Sequence, residues 1–154
     1  MAKTLEQLRS QLGAIEPNES TYAGIGSAEI PLLEILLQDK EAWLASRAVF
    51  ALSRIPDPKA VSALSRVAAD SRQEIRVAVA ASAVNLKPSD ANPLLLRLLT
   101  DSELGVRKFA VRAVSDAHNA TVHAKLRALE TQDPSGPIRD AAKSKLVELK
   151  RIRP

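Results

Sequence analysis

An aspartate recurs along the chain at a nearly constant spacing, and this recurrence constrains the fold more than any other feature. The copies, 31, 31 and 32 residues apart, are Asp39, Asp70, Asp101 and Asp133. The last three are each followed six residues later by an arginine, and these arginines are Arg76, Arg107 and Arg139. A period of about 30 residues is typical of repeat proteins, in which neighbouring units bury a continuous core and expose an extended binding surface.

Apolar columns in the aligned repeats predict two helices per repeat. The column that marks the first helix is Leu33, Leu64, Leu95 and Leu126. The second helix is marked by Ala48, Val79, Ala110 and Ala142, whose small side chains let neighbouring helices approach closely. Helix breakers are expected between the repeats, with Pro88 and Pro93 between the second and third. We therefore predict four repeats, at about 28–55, 56–86, 87–117 and 118–150.

The N-terminal residues 1–27 lie outside this period. Residues 3–13 predict an amphipathic helix with Leu5, Leu8 and Leu12 on one stripe, and residues 16–27 predict a loop. This segment could cap the exposed core of the first repeat, or it could dock on another protein. The predicted organisation is a cap at 1–27 and a repeat domain at 28–154 with a short basic tail.

The composition favours close-packed helices and excludes several chemistries. Apolar residues make up 45% of the chain, but only one Trp, one Tyr and two Phe are present, so Leu, Ala, Val and Ile must form the core. Because cysteine is absent, disulfides and thiolate metal sites are excluded. His118 and His123 do not have a zinc-binding spacing, and we expect them on a solvated surface. The sequence predicts no cofactor, no catalytic group and no membrane span, hence a cytoplasmic protein that is not an enzyme.

Three segments resemble HEAT-like repeats, in particular the short bacterial type of the phycobilisome lyase subunits. They are DSRQEIRVAVAASAVNL (70–86), DSELGVRKFAVRAV (101–114) and DPSGPIRDAAKSKL (133–146). The resemblance implies an all-α protein, a right-handed α-solenoid of about four HEAT-like helix pairs with an N-terminal helical cap. The first repeat departs from the pattern, since Ala45 replaces the arginine and Arg47 follows two residues later.

We interpret the recurring Asp and Arg as structural. The aspartate can close the first helix or cap the second, and the arginine can reach that carboxylate or the one in the neighbouring repeat. Repeats placed side by side would align these residues as a ladder. Its predicted members are Asp70, Arg76, Asp101, Arg107, Asp133 and Arg139.

The functional residues are expected at positions that do not recur. If the arginine is position 0, the second helix buries positions −1, +3, +7 and +10. Positions +1, +5 and +8 then point to the opposite, concave side. The predicted apolar contacts for a partner are Phe50, Val77, Ala81 and Val84, and the predicted contacts for acidic groups are Lys108 and Arg112. The chain is therefore predicted to be a protein-binding scaffold or adaptor for a helix or peptide with an acidic end.

Two alternative functions remain open at this point. Residues 101–154 contain 11 Lys and Arg against 7 Asp and Glu and end in the tail Lys150-Arg151-Ile152-Arg153, so nucleic acid is a conceivable ligand. The resemblance also implies a role as an accessory subunit of a lyase-type enzyme. Trp43 could either pack under the N-terminal cap or serve as an exposed interface anchor.

Overall fold

The computed structural model describes residues 2–152 of the chain, and the side chains of residues 2–150. In this part of the chain all regular structure is helical. The α-helices are α1 (Leu5–Leu12), α2 (Ile30–Leu37), α3 (Ala42–Ser53), α4 (Pro58–Val67), α5 (Gln73–Ser82), α6 (Pro88–Leu98), α7 (Leu104–Ala113), α8 (Ala120–Gln132) and α9 (Gly136–Ile152). Each predicted repeat contains one helix pair, from α2 and α3 in the first to α8 and α9 in the fourth. The predicted all-α architecture of HEAT-like helix pairs is confirmed.

The chain divides into two compact units. The N-terminal unit comprises the residues up to Val79, and the C-terminal unit begins at Ala80. The boundary between them lies inside α5. The predicted division into a cap at 1–27 and a repeat domain at 28–154 stays a prediction.

In the N-terminal unit, α1 is an amphipathic helix packed on α2 and α3. It begins with a capping box, in which the Thr4 side chain accepts from the Gln7 amide and the Gln7 side chain accepts from the Thr4 amide. Its apolar stripe buries Leu8 and Leu12 completely. The following segment, predicted as a loop, contains two short 3₁₀ turns at Glu19–Tyr22 and Ser27–Glu29.

The core of the C-terminal unit lies among α6, α7, α8 and α9, which pack pairwise against one another. Leu95 and Leu126 of the predicted first-helix column are fully buried there. Pro93 lies inside α6 and not in the linker before it, so its prediction as a breaker between repeats was wrong. Proline costs the helix one backbone hydrogen bond, and the buried face around Leu94 and Leu95 offsets that cost.

Burial on the second helices agrees with the predicted phase at positions −1 and +3, whereas Leu146 at +7 is only partly buried and Ala117 at +10 is exposed. All residues at positions −1 and +3 are at most 1% exposed, and they are Leu44, Ile75, Val106 and Ile138, then Ala48, Val79, Ala110 and Ala142. The opposite positions +1, +5 and +8 are partly or fully exposed, with the exception of the buried Ser53.

Candidate functional site

The residues predicted to contact a partner fall into two sets, one in each compact unit. We call them the second-helix face: Phe50, Val77, Ala81, Val84, Lys108 and Arg112. In the N-terminal unit, Phe50 on α3 and Val77 on α5 are partly buried. The same phase places Ser53 beside them, but Ser53 is buried and its Oγ donates to the Phe50 carbonyl oxygen at 2.7 Å.

In the C-terminal unit the second-helix face combines an exposed apolar side chain with two exposed cations. Val84 lies in the 3₁₀ turn Ala83–Asn85 and is 63% exposed. This turn packs against α7, which carries the exposed Lys108 and Arg112. The Arg112 guanidinium lies 5.2 Å from the centroid of the Phe109 ring, and this cation–π contact restrains its orientation. The arrangement suits a ligand with apolar groups and a carboxylate.

Helix α9 supports this part of the face from the side of the fourth repeat. The Lys145 ammonium donates to the Arg112 carbonyl oxygen at 3.0 Å and forms an ion pair with Glu148 at 3.4 Å. The carbonyl at the end of α7 thus gains a cationic donor, which is favourable at a helix C-terminus.

The recurring aspartates close the turn between the two helices of each pair. In every repeat one carboxylate oxygen accepts from the amide two residues later at 2.9 Å, and these amides belong to Glu41, Arg72, Glu103 and Ser135. The arginine six residues on donates to the backbone carbonyl of the same aspartate, at 2.8 Å from Arg76, 2.9 Å from Arg107 and 2.6 Å from Arg139. The arginine therefore satisfies a carbonyl beyond the end of the first helix, which has no partner within that helix.

One contact of the predicted ladder joins two repeats inside the C-terminal unit. Arg107 donates through Nε to Asp133 Oδ2 at 2.8 Å and through Nη2 to Oδ1 at 3.1 Å. Both residues are buried, at 9% and 4% exposure, so this is a bidentate pair shielded from solvent. It links α7 of the third repeat to the turn before α9.

In the N-terminal unit a different arginine links the repeats. Arg72 donates to the carbonyl oxygens of Leu37 at 2.8 Å and Asp39 at 2.7 Å, and its Nε reaches the Asp70 carboxylate at 3.0 Å. The hydrogen bond from the Arg72 side chain holds the pKa of Asp70 below its usual value. Sequence reasoning missed Arg72 because it stands at a position that carries arginine in the second repeat alone.

The repeat assignment is supported by comparison with a known family. A family model described as HEAT repeats matches residues 67–146, which is more than half of the 154 residues. The chain belongs to the HEAT repeat family. None of the curated protein sequences is significantly similar to this HEAT-repeat protein.

Solved structures with the same fold extend this comparison. A chain from the complex of CpcE and CpcF of phycocyanin lyase from Nostoc sp. PCC7120 is 20% identical, with a TM-score of 0.69 over 92% of this chain and 97% of that one. The designed armadillo repeat protein YIII(Dq.V1)4CPAF, in complex with the peptide (KR)4, is 18% identical with a TM-score of 0.55, over 94% and 81% of the two chains. At this level of identity the likeness shows a common helical-repeat fold.

Both histidines of the HEAT-repeat protein are buried, so their prediction as solvated surface residues was wrong. The Ser115 amide donates to His118 Nδ1 at 2.8 Å, and His123 Nε2 lies 2.9 Å from the Ser115 carbonyl oxygen. The two rings hold the loop between α7 and α8. Burial, and to a lesser extent the neighbouring His123, lower the pKa of His118 below its usual value of 6.5.

This lowered pKa predicts that stability decreases on the acid side of neutrality. Above pH 6.5 His118 is neutral in both the folded and the unfolded chain, and its contribution to stability is fully present. As the pH falls below 6.5 the unfolded chain binds the proton first, so the contribution is lost progressively down to the folded-state pKa. Replacing His118 by Asn keeps an acceptor for the Ser115 amide and should flatten the stability profile between pH 7 and pH 5 in urea unfolding experiments. An unchanged slope in His118→Asn would assign the pH dependence to other groups.

The N-terminal segment is held on α3 by two arginines. Arg47 donates to the Leu12 carbonyl oxygen at 2.6 Å, and Arg54 forms an ion pair with Glu19 and lies 5.0 Å from the Tyr22 ring centroid. In the first repeat Arg47 thus contacts the segment and not the turn, which explains why this copy departs from the pattern. These contacts are those expected of a cap, whereas docking of the segment on another protein stays a prediction.

Trp43 is not enclosed by the N-terminal segment. It is 50% exposed, and the Arg47 guanidinium lies 5.3 Å from the centroid of its ring. Its use as an interface anchor stays a prediction.

Other kinds of site find no support within residues 2–152. The described residues include no cluster of His, Asp and Glu side chains that could hold a metal ion. In the same part of the chain, no helix is both long enough and apolar enough to span a bilayer. From residue 151 onward, the predicted basic tail lies outside the residues whose side chains the structure describes.

Proposed function

We propose that this HEAT-repeat protein is a non-enzymatic scaffold or adaptor that binds a helix or peptide of another protein on its second-helix face. One observation carries the proposal: the exposed Val84 lies on a turn packed against the helix that presents Lys108 and Arg112. The face thus offers an apolar contact next to two positive charges.

Physical chemistry explains why this combination favours a protein ligand. An exposed valine gains free energy when a partner covers it, because its apolar surface leaves water. The two cations contribute mainly to orientation and to the rate of association, by attracting an acidic end of the partner. The buried Asp and Arg contacts keep α7 in place, so little conformational entropy is lost when the partner binds.

The solved structures with this fold support a protein or peptide ligand in general. The designed armadillo protein holds a peptide, and the phycocyanin lyase structure is a complex of two different chains. If the partner of this protein proves to be a second HEAT-like chain, its role would be that of an accessory subunit in a lyase-type assembly. Nucleic acid is less favoured, because two exposed cations neutralise few phosphates and the face offers valine and alanine where bases would need aromatic side chains.

A charge placed in the apolar part of the face should weaken binding strongly. The partner is first captured from the native host and identified by mass spectrometry, and its affinity is then measured with purified proteins. Val84→Glu should weaken binding by about tenfold or more, since it places a carboxylate where the acidic end of the partner docks. Circular dichroism should show unchanged helix content, because Val84 is exposed.

Ile35→Glu provides the matched control. Ile35 is also an exposed apolar residue, but it lies on α2, the first helix of its pair, and not on the second-helix face. Its affinity should equal that of the wild type. Equal affinities of Val84→Glu and the wild type would contradict the proposal. A partner that proves to be DNA or RNA, with affinity falling steeply as salt is raised, would favour the nucleic-acid alternative.

A further inference from the structure

The fourth repeat contains a groove that the proposed function does not use. It lies between α8 and α9, has a volume of about 340 Å³, and is lined by residues of these two helices alone. Charged side chains surround it, and they are Arg127, Glu130, Lys143 and Lys150. Leu146, Val147 and the buried Leu149 form the apolar part of its lining, and Val147 is 43% exposed.

Two of these charged residues stand in columns that are apolar in the other repeats. Glu130 is aligned with Leu37, Ala68 and Leu99, and Lys143 is aligned with Val49, Ala80 and Val111. All six of the apolar counterparts are at most 3% exposed. The fourth repeat thus replaces packing residues by charges on the same faces of its two helices. The surface keeps the shape of a helix-packing groove but acquires a charged border.

The charges of the groove are available to a ligand. The charged lining consists of three cationic side chains and one carboxylate, which gives an excess of two positive charges. Among the described side chains, none of these four takes part in an ion pair or a side-chain hydrogen bond. Unpaired charges beside exposed apolar surface are attracted to a ligand of opposite charge that also buries the apolar groups.

We propose that this groove docks an acidic amphipathic helix from another protein. The apolar stripe of that helix would lie on Leu146 and Val147, and its Asp or Glu side chains would face Lys143, Lys150 and Arg127. A helix-in-groove contact of this kind uses apolar anchors at positions i, i+3 and i+4 of the docked helix. A second copy of the same groove is a poorer occupant, because the two positive faces would repel each other. The inference does not depend on the second-helix face.

The test uses the full chain and a synthetic peptide as the probe. The peptide has about 15 residues, with leucines at helical spacing on one side and glutamates on the other, and a labelled copy reports binding by fluorescence anisotropy. A second peptide of the same composition, with the leucines scattered around the helix, tests whether the apolar stripe is needed. Lys143→Glu should weaken binding of the first peptide by about tenfold, because it removes one attraction and adds one repulsion.

Lys87→Glu is the matched control, since Lys87 is also an exposed lysine of the C-terminal unit but belongs neither to the groove nor to the second-helix face. Lys108→Glu, on the second-helix face, is measured beside it. The proposal requires that Lys143→Glu weakens binding much more than Lys87→Glu, and that the scattered peptide binds poorly. Equal losses of affinity in these two variants would indicate general charge attraction and would contradict binding in the groove. A loss confined to Lys108→Glu would place the peptide on the second-helix face. Sedimentation that shows a wild-type dimer abolished by Lys143→Glu would make a second copy the occupant.

Discussion

Replacing Arg107 by alanine is expected to lower the free energy of unfolding by about 3–5 kcal/mol. The reason is Asp133, which is 4% exposed and whose carboxylate accepts two side-chain hydrogen bonds, both from this guanidinium. Without Arg107 the carboxylate remains buried, charged and poorly compensated. The carbonyls of Asp101 and Ser102 lose a donor as well. Urea unfolding followed by circular dichroism measures the effect, and the melting temperature should fall by about 10 °C.

Two further variants test whether the loss of stability comes from breaking the buried ion pair or from removing any arginine side chain. Arg127→Ala removes an exposed arginine of the same unit and should change stability by less than about 0.5 kcal/mol. Combining Arg107→Leu with Asp133→Asn should recover part of the loss, since no buried charge remains and Asn still accepts from the Ser135 amide. A loss below about 1 kcal/mol in Arg107→Ala would show that water or another group compensates Asp133. The choice of partner should be unchanged in Arg107→Ala, because Val84, Lys108 and Arg112 are all retained.

Replacing Leu64 by alanine is expected to cost about 2–5 kcal/mol in the N-terminal unit. Leu64 lies on α4, belongs to the recurring leucine column and is fully buried. Removing three of its carbon atoms leaves a cavity in a core that has few aromatic side chains to shift into it. The free energy of unfolding in urea checks the value.

The control for Leu64 is an apolar residue of similar size on the surface of the same unit. Ile35 on α2 is 54% exposed, so Ile35→Ala should cost less than about 1 kcal/mol. Leu64→Met, which nearly conserves volume, should cost less than about 1.5 kcal/mol. Similar losses in Leu64→Ala and Ile35→Ala would mean that the column does not form a tightly packed core.

Much of the architecture could be predicted because it recurs. The leucine column and the small residues of the second helix indicate their burial by periodicity alone, and the structure buries them at those positions. Pro93 shows the limit of local rules, since a residue that breaks isolated helices is tolerated inside α6 by the burial of its neighbours. His118 and His123 show another limit. Their burial depends on a loop in which both rings contact the backbone of Ser115. The repeat pattern does not predict such a loop, because the loop does not recur.

The candidate site was only partly predictable for the same reason. The phase of the second helices indicated Val84, Lys108 and Arg112 as outward residues, and the structure places them at the surface, although their role in binding stays a prediction. Ser53 obeys the same phase and is nevertheless buried. The groove of the fourth repeat was not anticipated, because Glu130 and Lys143 gain significance only when the burial of their counterparts in the other repeats is known.

By itself the sequence determined the repeat length, the helix pairs and the buried side of each helix, because these depend on spacing along the chain and on the periodicity of the α-helix. Tertiary structure decided which partner each charged group takes. The Arg107 guanidinium reaches a carboxylate 26 residues away, and Arg72, at a position without recurrence, links the repeats of the other unit. Such choices depend on which groups folding brings within hydrogen-bonding distance and removes from water, and spacing in the sequence does not encode that distance.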